Sequence, residues 1–146
     1  MNSRALPIFH LAFPVKSVES TVVFYRDQLG FRIDLIETNR CIINFFGHQA
    51  VAHVSVKDVP ARVAVYPRHF GVILDNEKQF DDFYLRVERV GIPFFERLFV
   101  RFSGTPREHK TFFLKDPSNN LIEFKWYRDP ELVFKSHPDS PPLNRS

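Results

Sequence analysis

The chain has 146 residues, a formal net charge of +3, and a single cysteine beside 17 phenylalanines. This length suits one domain with a full core. The small charge excess contains no basic block, and a lone Cys41 excludes an internal disulfide framework, so nucleic acid and a disulfide-stapled secreted scaffold are both poor fits. No apolar run nears the roughly 20 residues a membrane span needs. The start, Met-Asn-Ser-Arg-Ala-Leu-Pro, has no leader-like apolar segment. A cytoplasmic protein acting on a small molecule, with no nucleic-acid or membrane partner, is the expectation. Cys41, in Cys-Ile-Ile-Asn-Phe-Phe, reads as a buried thiol acting as a small hydrophobe.

In chain order, residues 8–15 read as a buried strand containing His10. Ser17 can cap a helix whose apolar positions are Val18, Val22, Tyr25 and Leu29, with Gly30 as the stop. Strands are expected over 31–36, 40–46 and 49–56, with a turn at Gly47-His48. Pro60 and Pro67 mark 57–68 as a linker. The pattern then restarts. A strand over 69–74 begins with His69, and Asp75 and Asn76 are cap candidates. Phe80, Phe83, Tyr84 and Val87 predict an amphipathic helix, and Gly91 ends it. Strands follow at 92–96, 111–115 and 121–126. Between the last two, Asp116-Pro-Ser-Asn-Asn120 reads as a tight turn. The tail from 128 is rich in Pro and Ser and is expected to pack loosely.

This is an internal repeat. His10 and His69 are 59 residues apart, and so are Phe24-Tyr25 and Phe83-Tyr84. Module one covers 8–56, the linker 57–68, and module two 69–127, all within a single domain over 1–146. The fold class is therefore α+β: two βαβββ modules side by side in one eight-stranded mixed sheet with helices outside, U-shaped around a trough if the sheet curves.

The repeat also assembles a candidate site. In the last strand, Ile122, Phe124 and Trp126 share one face, and Leu121, Glu123 and Lys125 the other. A carboxylate between bulky apolar neighbours is costly to bury unless it is paired or metal-bound. His10 and His69 occupy matching places in the two modules. On the matching last strand of module one, Gln49, Val51 and His53 share a face, so His53 or Gln49 is the candidate fourth group. Two imidazoles and a carboxylate suit a divalent metal: Fe(II) if coordination positions stay open, and Zn, Ni, Co or Mn if a fourth ligand joins. The metal candidates are His10, His53, His69 and Glu123, with Glu123 and His53 also as catalytic bases. His48 and His109 read as surface or supporting residues, and His137 lies in the tail.

A second place to look is 97–110, read as a long loop between two strands. Its Arg97, Arg101, Arg107 and Lys110 alternate with Leu98, Phe99 and Phe102. As a lid it would give cations to an anionic substrate. As an ordinary loop it would be solvated, with snorkelling arginines. Arg101, Phe102 and Phe46 are the candidate substrate contacts.

Three stretches carry a family resemblance: Phe9-His10-Leu11-Ala12, the helix end from Phe24-Tyr25 to Leu29-Gly30-Phe31, and Phe113-Leu-Lys-Asp-Pro-Ser-Asn-Asn-Leu-Ile-Glu-Phe124. Over 8–127 the chain resembles the vicinal oxygen chelate superfamily, which contains glyoxalase I, the bleomycin resistance proteins and the ring-cleaving dioxygenases. The resemblance implies paired modules around a metal, with ligands at His10, His69 and Glu123 and a fourth on the last strand of module one. Glyoxalase I normally has a glutamate at that fourth place, and here 49–56 holds no acidic residue. The implied activity is a lyase or isomerase that chelates two adjacent substrate oxygens and stabilises an enediolate. The alternatives are an Fe(II) ring-cleaving dioxygenase and a small-molecule binding or drug resistance protein. Members often complete their sites across a dimer, so a homodimer is expected.

Overall fold

The structure is a computed structural model and describes residues 6–135. The expectations for 1–5, for His137 and for the tail beyond 135 lie outside the described residues. The first module runs β1 (His10–Val15), α1 (Val18–Val22), a π-helical turn (Val23–Gln28), β2 (Arg32–Ile36), β3 (Arg40–Phe45) and β4 (His48–Val54). The second runs β5 (Phe70–Leu74), α2 (Glu77–Val90), β6 (Phe94–Arg101), β7 (His109–Lys115) and β8 (Leu121–Tyr127).

The two modules have the same topology. The strand orders are β1-β4-β3-β2 and β5-β8-β7-β6. In each, the first strand pairs in parallel with the last and the remaining pairs are antiparallel. The eight strands thus form two four-stranded sheets, one per module. β1 and β5 are end strands of their sheets, and the rings of Phe13 and Phe70 meet at 5.2 Å.

Local signals explain the helix ends. The Ser17 hydroxyl accepts from the Ser20 amide, and the Asn76 carbonyl oxygen from the Gln79 amide. Gly91 ends α2 in the left-handed region at φ 82°, which a side chain would strain. The first helix departs from the expected regular one over 18–29. It widens at Val23–Gln28, which brings two consecutive rings, Phe24 and Tyr25, into the core.

The helices cover one face of each sheet. Between helices and sheets lies an aromatic cluster in which Phe83 meets Phe124 at 4.8 Å, Phe112 meets Phe124 at 5.0 Å, and Phe31 meets Phe46 at 5.2 Å. Much of the phenylalanine content is therefore core that cements one module to the other. Phe46 belongs to this cluster, packed by Phe31, Phe45, Phe83 and Phe124. The residue expected as a substrate contact is thus a partly buried ring of this cluster. Cys41 is fully buried, and burial pushes its thiol above the ordinary range.

The expected long loop over 97–110 is mostly strand. β6 continues through Arg101 and β7 begins at His109, leaving 102–108 as the connection. Arg97 and Arg101 stand on an edge strand that is exposed along much of its length. Three of the four cations of the segment are engaged. Arg97 pairs with Glu88, Lys110 with Glu77 and Asp81, and the Arg101 guanidinium lies over the Phe102 ring.

The turn before β8 clasps the modules together. Asp116 is 2 % exposed and accepts four hydrogen bonds: from the Ser118 and Asn120 amides, the Asn120 side chain and the Tyr25 hydroxyl. The Ser118 hydroxyl accepts from the Lys16 amide, and the Asn120 side chain also donates to the Pro14 carbonyl. Burial pushes the Asp116 carboxyl above the ordinary carboxylate range against the pull of these donors. The Tyr25 phenol is held well above its usual range by burial and by the nearby Asp116.

Candidate functional site

On β8 the core takes Ile122, Phe124 and Trp126, so Glu123 faces away from the helices. The β5–β8 register sets Gly71 opposite Glu123. A Cβ on Gly71 would lie 1.8 Å from the Glu123 carbonyl oxygen, so this close backbone approach requires glycine. His69, just before β5, reaches Glu123 on that face.

The His69–Glu123 contact carries chemical information. Nδ1 of His69 lies 2.7 Å from the Val65 carbonyl oxygen, which can only accept. Nδ1 therefore bears a proton, and Nε2 is the atom turned to Glu123, 3.0 Å from Oε2. This spacing suits either an N–H donated to the carboxylate or a metal ion held between the two atoms. The other carboxylate oxygen, Oε1, accepts from the Thr111 hydroxyl at 2.7 Å and lies 3.9 Å from the Lys125 ammonium. Phe113 and Tyr66 bracket the imidazole edge-on at 5.5 and 5.9 Å. Both groups are mostly covered yet reachable, at 23 % exposure for His69 and 15 % for Glu123.

As metal ligands, His69 and Glu123 fit. Their donor atoms converge at the spacing of adjacent ligands each about 2.1 Å from one ion. The hydrogen bonds from His69 to Val65 and from Thr111 to Glu123 are the supports that orient such ligands. Among the described residues no three His, Cys, Asp or Glu side chains come together as a metal cluster.

Of module one's candidates, Gln49 lines the same cavity as His69 and Glu123, and His10 and His53 do not. His10 pairs with Gln49, Nδ1 to Oε1 at 2.7 Å. His53 stands opposite Pro14 and Arg40, four residues beyond Gln49 on β4 and so about 13 Å along it. It lines neither of the cavities described below. If His69 corresponds to His10, then Gly71 corresponds to Ala12, and the partner of Ala12 is Val51. The module-one counterpart of Glu123 is thus the buried Val51, rather than His53 or Gln49. His48 accepts from the Phe9 amide, and His109 is buried against the Tyr127 ring at 4.8 Å.

A cavity of about 520 Å³ opens over the pair, lined from both modules by Phe9, Leu11, Gln49, His69, Phe70 and Glu123 among others. Arg101, Phe102, Phe46 and His10 are not among its walls. The sequence reading missed Thr111, Val65 and Lys125. Thr111 was findable, because antiparallel pairing of β7 with β8 sets it opposite Lys125, on the face of Glu123 and diagonal to it. The Val65 carbonyl has no sequence signal.

A family model, the Glyoxalase/Bleomycin resistance protein/Dioxygenase superfamily, matches residues 8–124. The chain belongs to this superfamily. A glyoxalase/bleomycin resistance protein/dioxygenase from Alicyclobacillus acidocaldarius is 41 % identical and superposes with a TM-score of 0.82, covering 88 % of this chain and 96 % of that one. Two more distant members share the fold. A lactoylglutathione lyase from Agrobacterium tumefaciens has 18 % identity and a TM-score of 0.62. A genomically encoded fosfomycin resistance protein from Listeria monocytogenes has 14 % identity and a TM-score of 0.63. Each of these matches covers 84 % of this chain and 94 % of the other. Among the described residues, no helix is long and apolar enough to cross a membrane.

Proposed function

We propose that this superfamily member is a metal-dependent lyase or isomerase acting on a small substrate with two neighbouring oxygens. The observation that carries the reading is Nε2 of His69 facing the Glu123 carboxylate at 3.0 Å, with Nδ1 already committed to Val65. His69 and Glu123 would hold a divalent ion. When bound, the ion would polarise a substrate carbonyl and stabilise enolate-type charge. Where Oε2 is released from ligation, Glu123 can take and return the substrate proton there, while Thr111 holds Oε1 and fixes the carboxylate plane. The Val65 carbonyl keeps His69 in one tautomer. The apolar walls limit water around the developing charge.

His10 is the third ligand proposed from the resemblance. Because it sits with Gln49 in this chain, we propose that a homodimer completes the site, with module one of one copy meeting module two of the other. A small-molecule binding role is the second reading, favoured by the largely apolar cavity. The test is exchange of the acidic α-proton of α-hydroxy-ketone and hemithioacetal substrates into D₂O, followed by NMR with metal supplied. Glu123→Gln is expected to slow exchange about a hundredfold or more. Exchange in the parent no faster than in buffer would leave the binding role.

A further inference from the structure

The segment 57–68, read from the sequence as a linker, forms one wall of a second cavity of about 480 Å³. The two cavities share Leu11, His69 and Phe70, so His69 stands where they meet. Their linings differ. The first is apolar apart from its polar pair and neighbouring Gln49, His48 and Lys125. The second carries Arg62, Arg68, Asn119 and Asn120, and no acidic residue. Glu123 is the one acidic residue lining either cavity.

Among the described residues the two arginines are exposed and, like Arg86, Arg89, Arg101 and Arg107, lie on no carboxylate, but they alone of these line a cavity beside the His69–Glu123 pair. Arg26, Arg32, Arg40, Arg97 and Arg128 each lie on a carboxylate. Among the described residues, Arg62 and Arg68 meet none. Yet their segment is tied down twice. The Asn119 side chain donates to the Pro60 carbonyl at 3.0 Å, and His69 donates to the Val65 carbonyl at 2.7 Å. Two unpaired guanidinium groups are thus carried on an anchored strap beside the reactive pair. Such forks suit planar carboxylates and phosphates, which they can hold through paired hydrogen bonds.

We propose that this second cavity is the anion subsite of the same site. It takes a carboxylate or phosphate-type group of a substrate whose apolar part lies in the first cavity, with the reacting oxygens between them at His69. The inference rests on the reading above for the role of the first cavity. The anion site itself can be tested without any reaction.

The experiment is titration of chelator-treated protein with phenylacetate, phenyl phosphate, inorganic phosphate and benzyl alcohol at low salt, followed by calorimetry and NMR. The variants are Arg62→Gln/Arg68→Gln, Glu123→Gln, and Arg89→Gln as a charge control on α2. At least one of the two aromatic anions is expected to bind the parent, and the stronger one identifies carboxylate or phosphate as the preferred group. The double variant is expected to weaken that binding about tenfold or more. Arg89→Gln is expected to match the parent. Glu123→Gln is expected to keep the binding, so failure of the proposed reaction and failure of the subsite are separable. Benzyl alcohol is expected to bind all forms alike. Anion binding in the double variant within about twofold of the parent would overturn the proposal, as would no anion binding by the parent up to about 10 mM.

Discussion

Glu123 and His69, which the structure brings within 3.0 Å of each other, were legible as candidate site residues because strand alternation placed a carboxylate on a face opposite Ile122, Phe124 and Trp126, and because the repeat paired His69 with His10. Their exact chemistry was not legible. The tautomer of His69 is set by a backbone carbonyl, and backbone partners leave no mark on residue type. Thr111 is the residue whose role is most open to test. Its hydroxyl holds one oxygen of Glu123 and leaves the other for a cation. Thr111→Val keeps the shape and removes the bond. It is expected to weaken divalent metal binding about tenfold while leaving the fold intact, as removal of a supporting hydrogen bond does at metal sites. Unchanged metal affinity would place Thr111 outside the site. His53 shows the opposite failure. It shares a face with Gln49 by alternation, but a shared face does not fix position along a strand, and the register sets it about 13 Å away.

At the scale of elements, the Asp-Pro-Ser-Asn-Asn turn was the strongest sequence signal, and its work proves to be structural. It ties the end of β1 to the start of β8 through Asp116, Ser118 and Asn120. Tyr25→Phe removes one of four donors to a buried carboxylate. It is expected to destabilise the fold by about 1–2 kcal/mol, read by denaturant unfolding. A loss below about 0.5 kcal/mol would mean the clasp does not depend on this bond. The same scale explains why 97–110 was misread. Arginines on an exposed edge strand read as a lid's would, and only cross-strand pairing with β7 decides between them. The segment 57–68 reads as a linker by its prolines. Its closeness to His69 follows from tertiary packing, which no local pattern records.

For the whole molecule, the repeat made the eight strands, their order and the two helices readable before any coordinates, because each module carries the same spacing of strand, helix and glycine. How the modules meet was less readable. Seventeen phenylalanines could have lined a trough, and many instead form the seam between modules, since large rings gain most by burial against one another. Module one's Gln49 lines the same cavity as module two's His69 and Glu123, while His10 is bonded to Gln49 and does not join the pair in a three-residue metal cluster among the described residues. We therefore propose a divalent ion on His69 and Glu123, with His10 supplied by a second copy. The most direct measurement is metal content after loading chelator-treated protein with Ni(II) or Zn(II) and desalting, beside His69→Ala and Glu123→Gln. The account predicts about one ion per chain in the parent, consistent with a structural-strength site, and loss of that ion in either variant. No uptake by the parent, or equal uptake by both variants, would contradict it.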